Sequence, residues 1–75
     1  MMYVNLDGPD GNAFVLLGMA QKLSKRNDVN KTSKEIIDEM KSGDYNHLVG
    51  TFNKYFSHLV ELQTTKVELT KVLLK

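Results

Sequence analysis

An amphipathic segment between residues 45 and 56 constrains the fold of this chain more than any other feature. Asp44 precedes this segment and is a suitable N-cap residue. Because a wide apolar stripe has to be buried, other elements must pack around the predicted helix. With 75 residues and no cysteine, the chain must stabilise that packing by apolar burial, without disulfides. The apolar side chains recur at the i, i+3, i+4, i+7 spacing of a helix and are Tyr45, Leu48, Val49, Phe52 and Phe56.

The first part of the chain reads as a strand, a turn and a helix. Alternating residues at positions 2–6 predict a short strand, which the turn residues of the D-G-P-D-G stretch end. Apolar residues at helical spacing predict a helix over residues 12–26. Phe14 widens its apolar stripe, so we expect the first half of this helix to be buried almost all round. Gly18 lies in mid-helix, where glycine costs up to about 1 kcal/mol relative to alanine. We interpret it as a point where another element approaches closely.

Two further elements are predicted before the tail of the chain. Thr32 and Glu35 form a capping-box pattern, which predicts that a second helix starts at Thr32. Gly43 is expected to end this helix in a left-handed conformation. A second strand is predicted over residues 58–63. It can pair with the first strand in a two-stranded sheet whose inner face the helices cover.

The tail, residues 64–75, fits two conformations. Thr65 and Glu68 form a second capping-box pattern, and apolar residues follow at helical spacing, so we favour a short helix. The stretch K-V-E-L-T also fits a strand. The predicted fold class is therefore α+β: a small single domain, mostly helical, with three helices, a C-terminal helix and a two-stranded sheet from the N-terminal and late strands. Residues 1–63 would form the helical core with the two strands, and residues 64–75 an extension of the same domain.

Composition argues against several classes of protein. A net charge of +1 with 25% charged residues predicts no large basic field, which disfavours non-specific nucleic-acid binding. The longest apolar run, residues 13–17, is far shorter than the roughly 20 residues that span a bilayer. The first residues lack the basic and apolar regions of a signal peptide. These features predict a soluble intracellular protein without a membrane partner.

The loop D-G-P-D-G-N resembles several ligand-binding loops but completes none of their patterns. A phosphate-binding loop needs a lysine and a serine or threonine after its last glycine, where this chain has asparagine and alanine. The calcium-loop pattern also fails, because the alternate positions after the first aspartate hold proline and glycine. A turn with a helix start capped by Asp10 or Asn12 is one interpretation. The other is a loop for a ligand or partner, with a weak cation site as a minor variant. That loop would consist of Asp7, Gly8, Asp10, Gly11 and Asn12.

No catalytic grouping, metal site or cofactor site is predicted. The two histidines, His47 and His58, are far apart in the sequence, and there is no cysteine to complete a zinc site. We expect His47 to be solvated. The serines fall at helix ends or exposed faces, without a general base beside them. The sequence therefore predicts that the protein is not an enzyme.

Protein binding is the function that the sequence favours. The aromatic, methionine and aliphatic content exceeds what so small a domain can bury, and surplus apolar surface is typical of interfaces. We expect that surplus in the tail, as a surface for a protein partner or for homo-oligomerisation as a dimer. This predicted surface comprises Leu62, Val67, Leu69, Val72 and Leu73.

A small DNA- or RNA-binding regulator is the alternative function. The two helices joined by a short glycine turn are similar to a helix-turn-helix, with residues 44–56 as the recognition helix. Few arginines or lysines are available there to reach phosphates and guanines, so this alternative is less favoured. Its nucleic-acid face would carry Asn46, His47, Asn53 and Lys54.

Two stretches, N-L-D-G-P-D-G-N-A-F and S-G-D-Y-N-H-L-V-G-T-F-N-K-Y-F, carry a resemblance to a known group. They resemble small, mostly uncharacterised proteins encoded by tailed bacteriophages. Those proteins have an L-D-G-P-x-G-N-A segment and a later S-G-D-Y helix start. The resemblance covers about residues 4–62 and not the extension from residue 63 to residue 75. It implies a phage origin and a location in the host cytoplasm. Small phage accessory proteins of this size often bind a host enzyme, a defence protein or a signalling nucleotide. We therefore expect this chain to bind and modulate a host protein, for example as an inhibitor of a host enzyme or defence factor.

Overall fold

The structure is a computed structural model that describes residues 2–25 and 31–74. This part of the chain contains four helices and a two-stranded sheet, which confirms the predicted α+β, mostly helical fold. The tail is a helix, as favoured over a strand. The elements are β1 (Met2–Asn5), a 3-10 turn (Pro9–Gly11), α1 (Ala13–Leu23), α2 (Ser33–Met40), α3 (Tyr45–Phe56), β2 (Val60–Gln63) and α4 (Val67–Leu73).

The strands β1 and β2 pair in parallel. Val4 lies opposite Leu62, and both side chains are buried against the helices. Tyr3 lies opposite Glu61, and both are exposed on the other face. A parallel pair needs a crossover connection, which the three helices between the strands provide. The sheet therefore covers one side of the helical core.

Helix α3 is the centre of the core. It contacts α1, α2, α4 and β2, and this placement buries the predicted apolar stripe. Phe52 and Phe56 are fully buried, with ring centroids 5.0 Å apart in a tilted arrangement. Aromatic pairs of this kind contribute about 0.5–1.5 kcal/mol beyond the burial of their area.

Side-chain caps define the starts of α1, α2 and α3. Asn12 and Asp44 each accept a hydrogen bond of 2.9 Å from the backbone N–H three residues later. The oxygen of Thr32 accepts one of 3.3 Å from the N–H of Glu35, while its hydroxyl donates to the Glu35 carboxylate. The predicted caps at Thr32 and Asp44 are confirmed, and Asn12 is the residue that caps α1. Helix α1 ends at Leu23, earlier than predicted, and the predicted end at residue 26 lies outside the described residues.

Two glycines have other roles than those predicted. No described glycine has a positive φ, so Gly43 does not end α2 in a left-handed conformation. A Cβ at Gly43 would instead lie 2.8 Å from the Cβ of His47, and glycine avoids that collision. Gly18 is exposed, with no atom within 4 Å of the position of a Cβ. The predicted close approach at Gly18 is therefore absent within this part of the chain.

The tail completes the core instead of adding surplus surface. Leu69 is 3% exposed and Leu62 7% exposed, so the predicted self-association surface is wrong for both residues. Val72 and Leu73 are partly buried against the core, which leaves Val67 exposed. The reason is that α4 folds back onto α3 and buries its apolar side there. No helix in the described ranges is long and apolar enough to cross a membrane.

Candidate functional site

The D-G-P-D-G-N loop is held by contacts within the protein. The carboxylate of Asp7 accepts hydrogen bonds from the hydroxyl of Thr64 (2.7 Å), the backbone N–H of Thr65 (2.8 Å) and the hydroxyl of Thr65 (2.6 Å). These bonds, that of the Thr65 hydroxyl foremost, lower the pKa of Asp7 to about 2. We call this contact the Asp7 latch. It ties the loop after β1 to the connection between β2 and α4.

The latch also changes how α4 begins. The N-cap of α4 is Lys66, whose side chain makes no cap hydrogen bond. The predicted capping box of Thr65 and Glu68 is therefore wrong, because the Thr65 hydroxyl is bound to Asp7 instead. A capping-box pattern is a local signal, and here a residue from another part of the chain competes for the same hydroxyl.

The remaining loop residues support the turn-and-helix-start interpretation. A Cβ at Gly11 would lie 1.9 Å from the carbonyl oxygen of Leu6, so only glycine fits there. The Gly11 carbonyl accepts a hydrogen bond from the Tyr45 hydroxyl. The N–H of Gly8 donates to Asn5, Asn12 caps α1, and Asp10 is exposed. Across residues 2–25 and 31–74, no group of three or more acidic or histidine side chains is placed to hold a metal ion.

The four residues of the predicted nucleic-acid face line one groove along α3. It has a volume of about 570 Å³, and we call it the α3 groove. Residues of α2 and α4 also line it, on either side of α3. Their spacing puts these four residues on one face of α3, and the neighbouring helices turn that face into a groove. The lining residues are Glu39, Asn46, His47, Gly50, Thr51, Asn53, Lys54 and Val72.

One end of the α3 groove carries a charge pair. The ammonium of Lys54 lies 3.3 Å from the carboxylate of Glu39, which also accepts a hydrogen bond of 2.7 Å from the Tyr55 hydroxyl. The Tyr55 bond, together with Lys54, lowers the pKa of Glu39, and Glu39 raises the pKa of Lys54. Both groups are therefore charged at neutral pH, and their charges cancel. An anionic polymer gains little attraction from such a pair.

His47 is exposed, as expected for a solvated side chain, and its ring also contacts the end of α2. Its Nε2 lies 2.8 Å from the carbonyl oxygen of Glu39 and 2.9 Å from the hydroxyl of Ser42. A carbonyl oxygen only accepts, so Nε2 carries the hydrogen in this contact. The imidazole thereby joins the start of α3 to the end of α2. This contact also explains why residue 43 has no side chain.

Two carboxamides, those of Asn46 and Asn53, lie along the α3 groove. They are seven residues apart, roughly 10.5 Å along the helix axis, with Gly50 between them. Both residues are half-buried, and no hydrogen bond joins either carboxamide to another residue in the described ranges. A carboxamide offers both donors and an acceptor, as a peptide group does. The groove is therefore suited to an uncharged chain that presents alternating N–H and C=O groups.

A second exposed surface lies on α1, where the sequence predicted burial. Phe14 is 86% exposed, so its assignment to the core is wrong. The helical spacing of Phe14, Gly18, Gln21 and Lys22 places them along one face of α1, and all four are exposed. We call this face the α1 stripe. The same spacing could have indicated it from the sequence, since it aligns Phe14 with glutamine and lysine, which are mostly exposed in folded proteins.

Comparisons of the chain with protein-family models, with curated proteins and with solved structures found no match.

Proposed function

We propose that this chain is a non-enzymatic accessory protein that binds an extended segment of another protein in the α3 groove. The observation that carries the proposal is the pair of carboxamides of Asn46 and Asn53, which flank Gly50 on one face of α3. The resemblance to small phage proteins makes a host protein the expected partner, with inhibition of a host enzyme or defence factor as the expected effect.

The dimensions of the groove support an extended segment as the ligand. An extended chain rises about 3.3 Å per residue, so the roughly 10.5 Å between the two asparagines corresponds to about three residues. Each carboxamide can donate to a peptide carbonyl and accept from a peptide N–H. A methyl group of Val72 from α4 lies over Gly50 between them and adds an apolar contact. Backbone recognition of this kind gives affinity, and side-chain contacts at the rim give specificity.

The same geometry does not favour the nucleic-acid alternative. A recognition helix has to project into a major groove about 12 Å wide. Helix α3 is instead the central helix, with α2 and α4 packed on either side of its polar face. The ammonium of Lys54 is also paired with Glu39 and is not directed at a phosphate.

The test is selection from a displayed library of peptides tiled from bacterial proteins. We expect the wild-type protein to enrich peptides that the Asn46→Ala/Asn53→Ala double variant binds at least about tenfold more weakly, since each neutral hydrogen bond contributes about 0.5–1.5 kcal/mol. Gln63→Ala is the matched control, because it removes an exposed carboxamide that does not line the groove. Equal binding by the double variant and the wild type would exclude the groove as the binding site.

A parallel titration with labelled duplex DNA distinguishes the alternative function. We expect weak binding that the double variant does not change. Tight binding that falls steeply with salt and requires Asn46 and Asn53 would instead identify a nucleic-acid regulator and overturn the proposal.

A further inference from the structure

We infer that the α1 stripe is a self-association surface, on which a second copy of this chain packs its own α1 in antiparallel orientation across Gly18. This inference goes beyond the proposed function. The stripe shares no residue with the α3 groove, so each can fail without the other.

The first observation is the pairing of an exposed aromatic ring with an uncovered glycine. Phe14 is 86% exposed, and the space above Gly18, one turn later, is open to a distance of 4 Å. Within this part of the chain nothing approaches Gly18, so the fold offers no reason for a glycine that weakens its helix. Interaxial distances between packed helices depend on the side chains at the contact, and a glycine permits a short distance. A second helix that crosses at Gly18 would bury the ring of Phe14.

The second observation is that the stripe is complementary to itself in antiparallel orientation. With Gly18 on the two-fold axis, Phe14 of one copy lies at the level of Lys22 of the other, because both are four residues from Gly18. Lys22 is exposed, and its ammonium can cover the aromatic ring in a cation–π contact. The two-fold axis produces this contact twice.

The lysine of the stripe also selects this orientation. A parallel arrangement would place Lys22 of one copy beside Lys22 of the other, and the two ammonium groups would repel each other.

Disulfide trapping tests this inference well because the chain has no cysteine of its own. The Gly18→Cys variant places a thiol on the proposed two-fold axis, where the structure leaves room for it. We expect this variant to form a covalent dimer rapidly under mild oxidation. Val67→Cys is the control, since Val67 is 67% exposed and belongs to α4. A covalent dimer that forms no faster with Gly18→Cys than with Val67→Cys would overturn the inference.

A second cross-linking experiment tests the antiparallel orientation of the two copies. A mixture of Phe14→Cys and Lys22→Cys variants should give the mixed disulfide, whereas each variant alone should cross-link slowly. Faster cross-linking of Phe14→Cys with itself would indicate a parallel pair and overturn the antiparallel arrangement.

Sedimentation velocity of the full, unmodified chain gives an independent measurement. We expect a monomer–dimer equilibrium whose Kd rises at least about tenfold in Phe14→Ser, since buried aromatic anchors dominate interface energies. Tyr3→Ser, which removes an aromatic ring that is 65% exposed on the sheet, should leave the Kd unchanged. A wild-type chain that remains monomeric over the whole concentration series would overturn the inference.

Discussion

At the scale of single residues, the carboxylate of Asp7 shows how one side chain can join distant parts of a chain. Local sequence made it a candidate ligand of a binding loop. Its partners Thr64 and Thr65 are 57 and 58 residues away in the sequence, and the geometry makes Asp7 a structural acceptor. Because its pKa falls from 3.8 to about 2 on folding, the ionised form favours the folded state.

The carboxylate of Asp7 should make the stability of the fold depend on pH over a defined acidic range. Its contribution is fully present above its unfolded pKa of 3.8 and is lost as the pH falls towards about 2. We expect Asp7→Asn to lower the Tm at neutral pH, and the difference from the wild type to shrink below pH 3.8 and nearly vanish near pH 2. Thermal melts by circular dichroism would measure this, with Asp10→Asn as the control from the same loop. A Tm difference that is independent of pH would show that the Asp7 charge does not stabilise the fold.

Replacement of Gly18 and of Gly11 by alanine should change the free energy of unfolding in opposite directions. Gly18→Ala should raise the free energy of unfolding by up to about 1 kcal/mol, since alanine is the better helix former and the site is open. Gly11→Ala should lower it strongly, because the new Cβ would collide with the Leu6 carbonyl. Urea denaturation of dilute protein measures both. If Gly11→Ala were as stable as the wild type, the loop would have to adopt another backbone conformation.

At the scale of secondary-structure elements, α4 belongs to the core. Its apolar residues follow the helical spacing that the sequence showed, but the fold directs them onto α3 and not towards a partner. Gly50 makes the contact possible, since a Cβ there would lie 3.0 Å from a methyl group of Val72. The side of α3 that appeared polar in the sequence is therefore partly covered.

Two apolar residues of α4, Leu69 and Val67, differ in burial, so their replacement by alanine should differ in its effect on stability. Leu69→Ala should lower the free energy of unfolding by about 2–5 kcal/mol, the range for a buried leucine. Val67→Ala, on the exposed side of the same helix, should change it by about 0.5 kcal/mol or less. Urea denaturation again provides the measurement. The reverse order would mean that α4 packs on α3 with its other side.

At the scale of the whole molecule, the two ends of the described chain depend on each other. The parallel pairing of β1 with β2 and the Asp7 latch both join the first residues to the last third of the sequence. A domain this small has few stabilising contacts to spare. The tail is thus packed into the core of the domain, whereas the sequence predicted an extension with a partner surface.

Deletion of residues 64–75 should therefore destabilise the entire protein. It removes Leu69 from the core and Thr64 and Thr65 from the latch. We expect loss of the cooperative thermal transition in far-UV circular dichroism, with the Gln63→Ala full-length chain as the folded control. A truncated chain that keeps the Tm of the full chain would show that residues 64–75 do not stabilise the domain.

The sequence by itself determined which segments of residues 1–63 become helices and strands and where α2 and α3 begin. Those properties depend on neighbours within a few residues, such as the stripe around Phe52, the capping box at Thr32 and the cap at Asp44. Local spacing also brought Asn46, His47, Asn53 and Lys54 together on one helix face.

Only the tertiary structure decided what each of these surfaces contacts. Thr65 pairs with Asp7 instead of capping α4, α4 covers part of α3, and Phe14 faces outwards. The physical reason is that a hydrogen-bond donor or an apolar face can be satisfied by any partner that the fold brings near. The spacing of residues along one element does not specify which distant element will supply that partner.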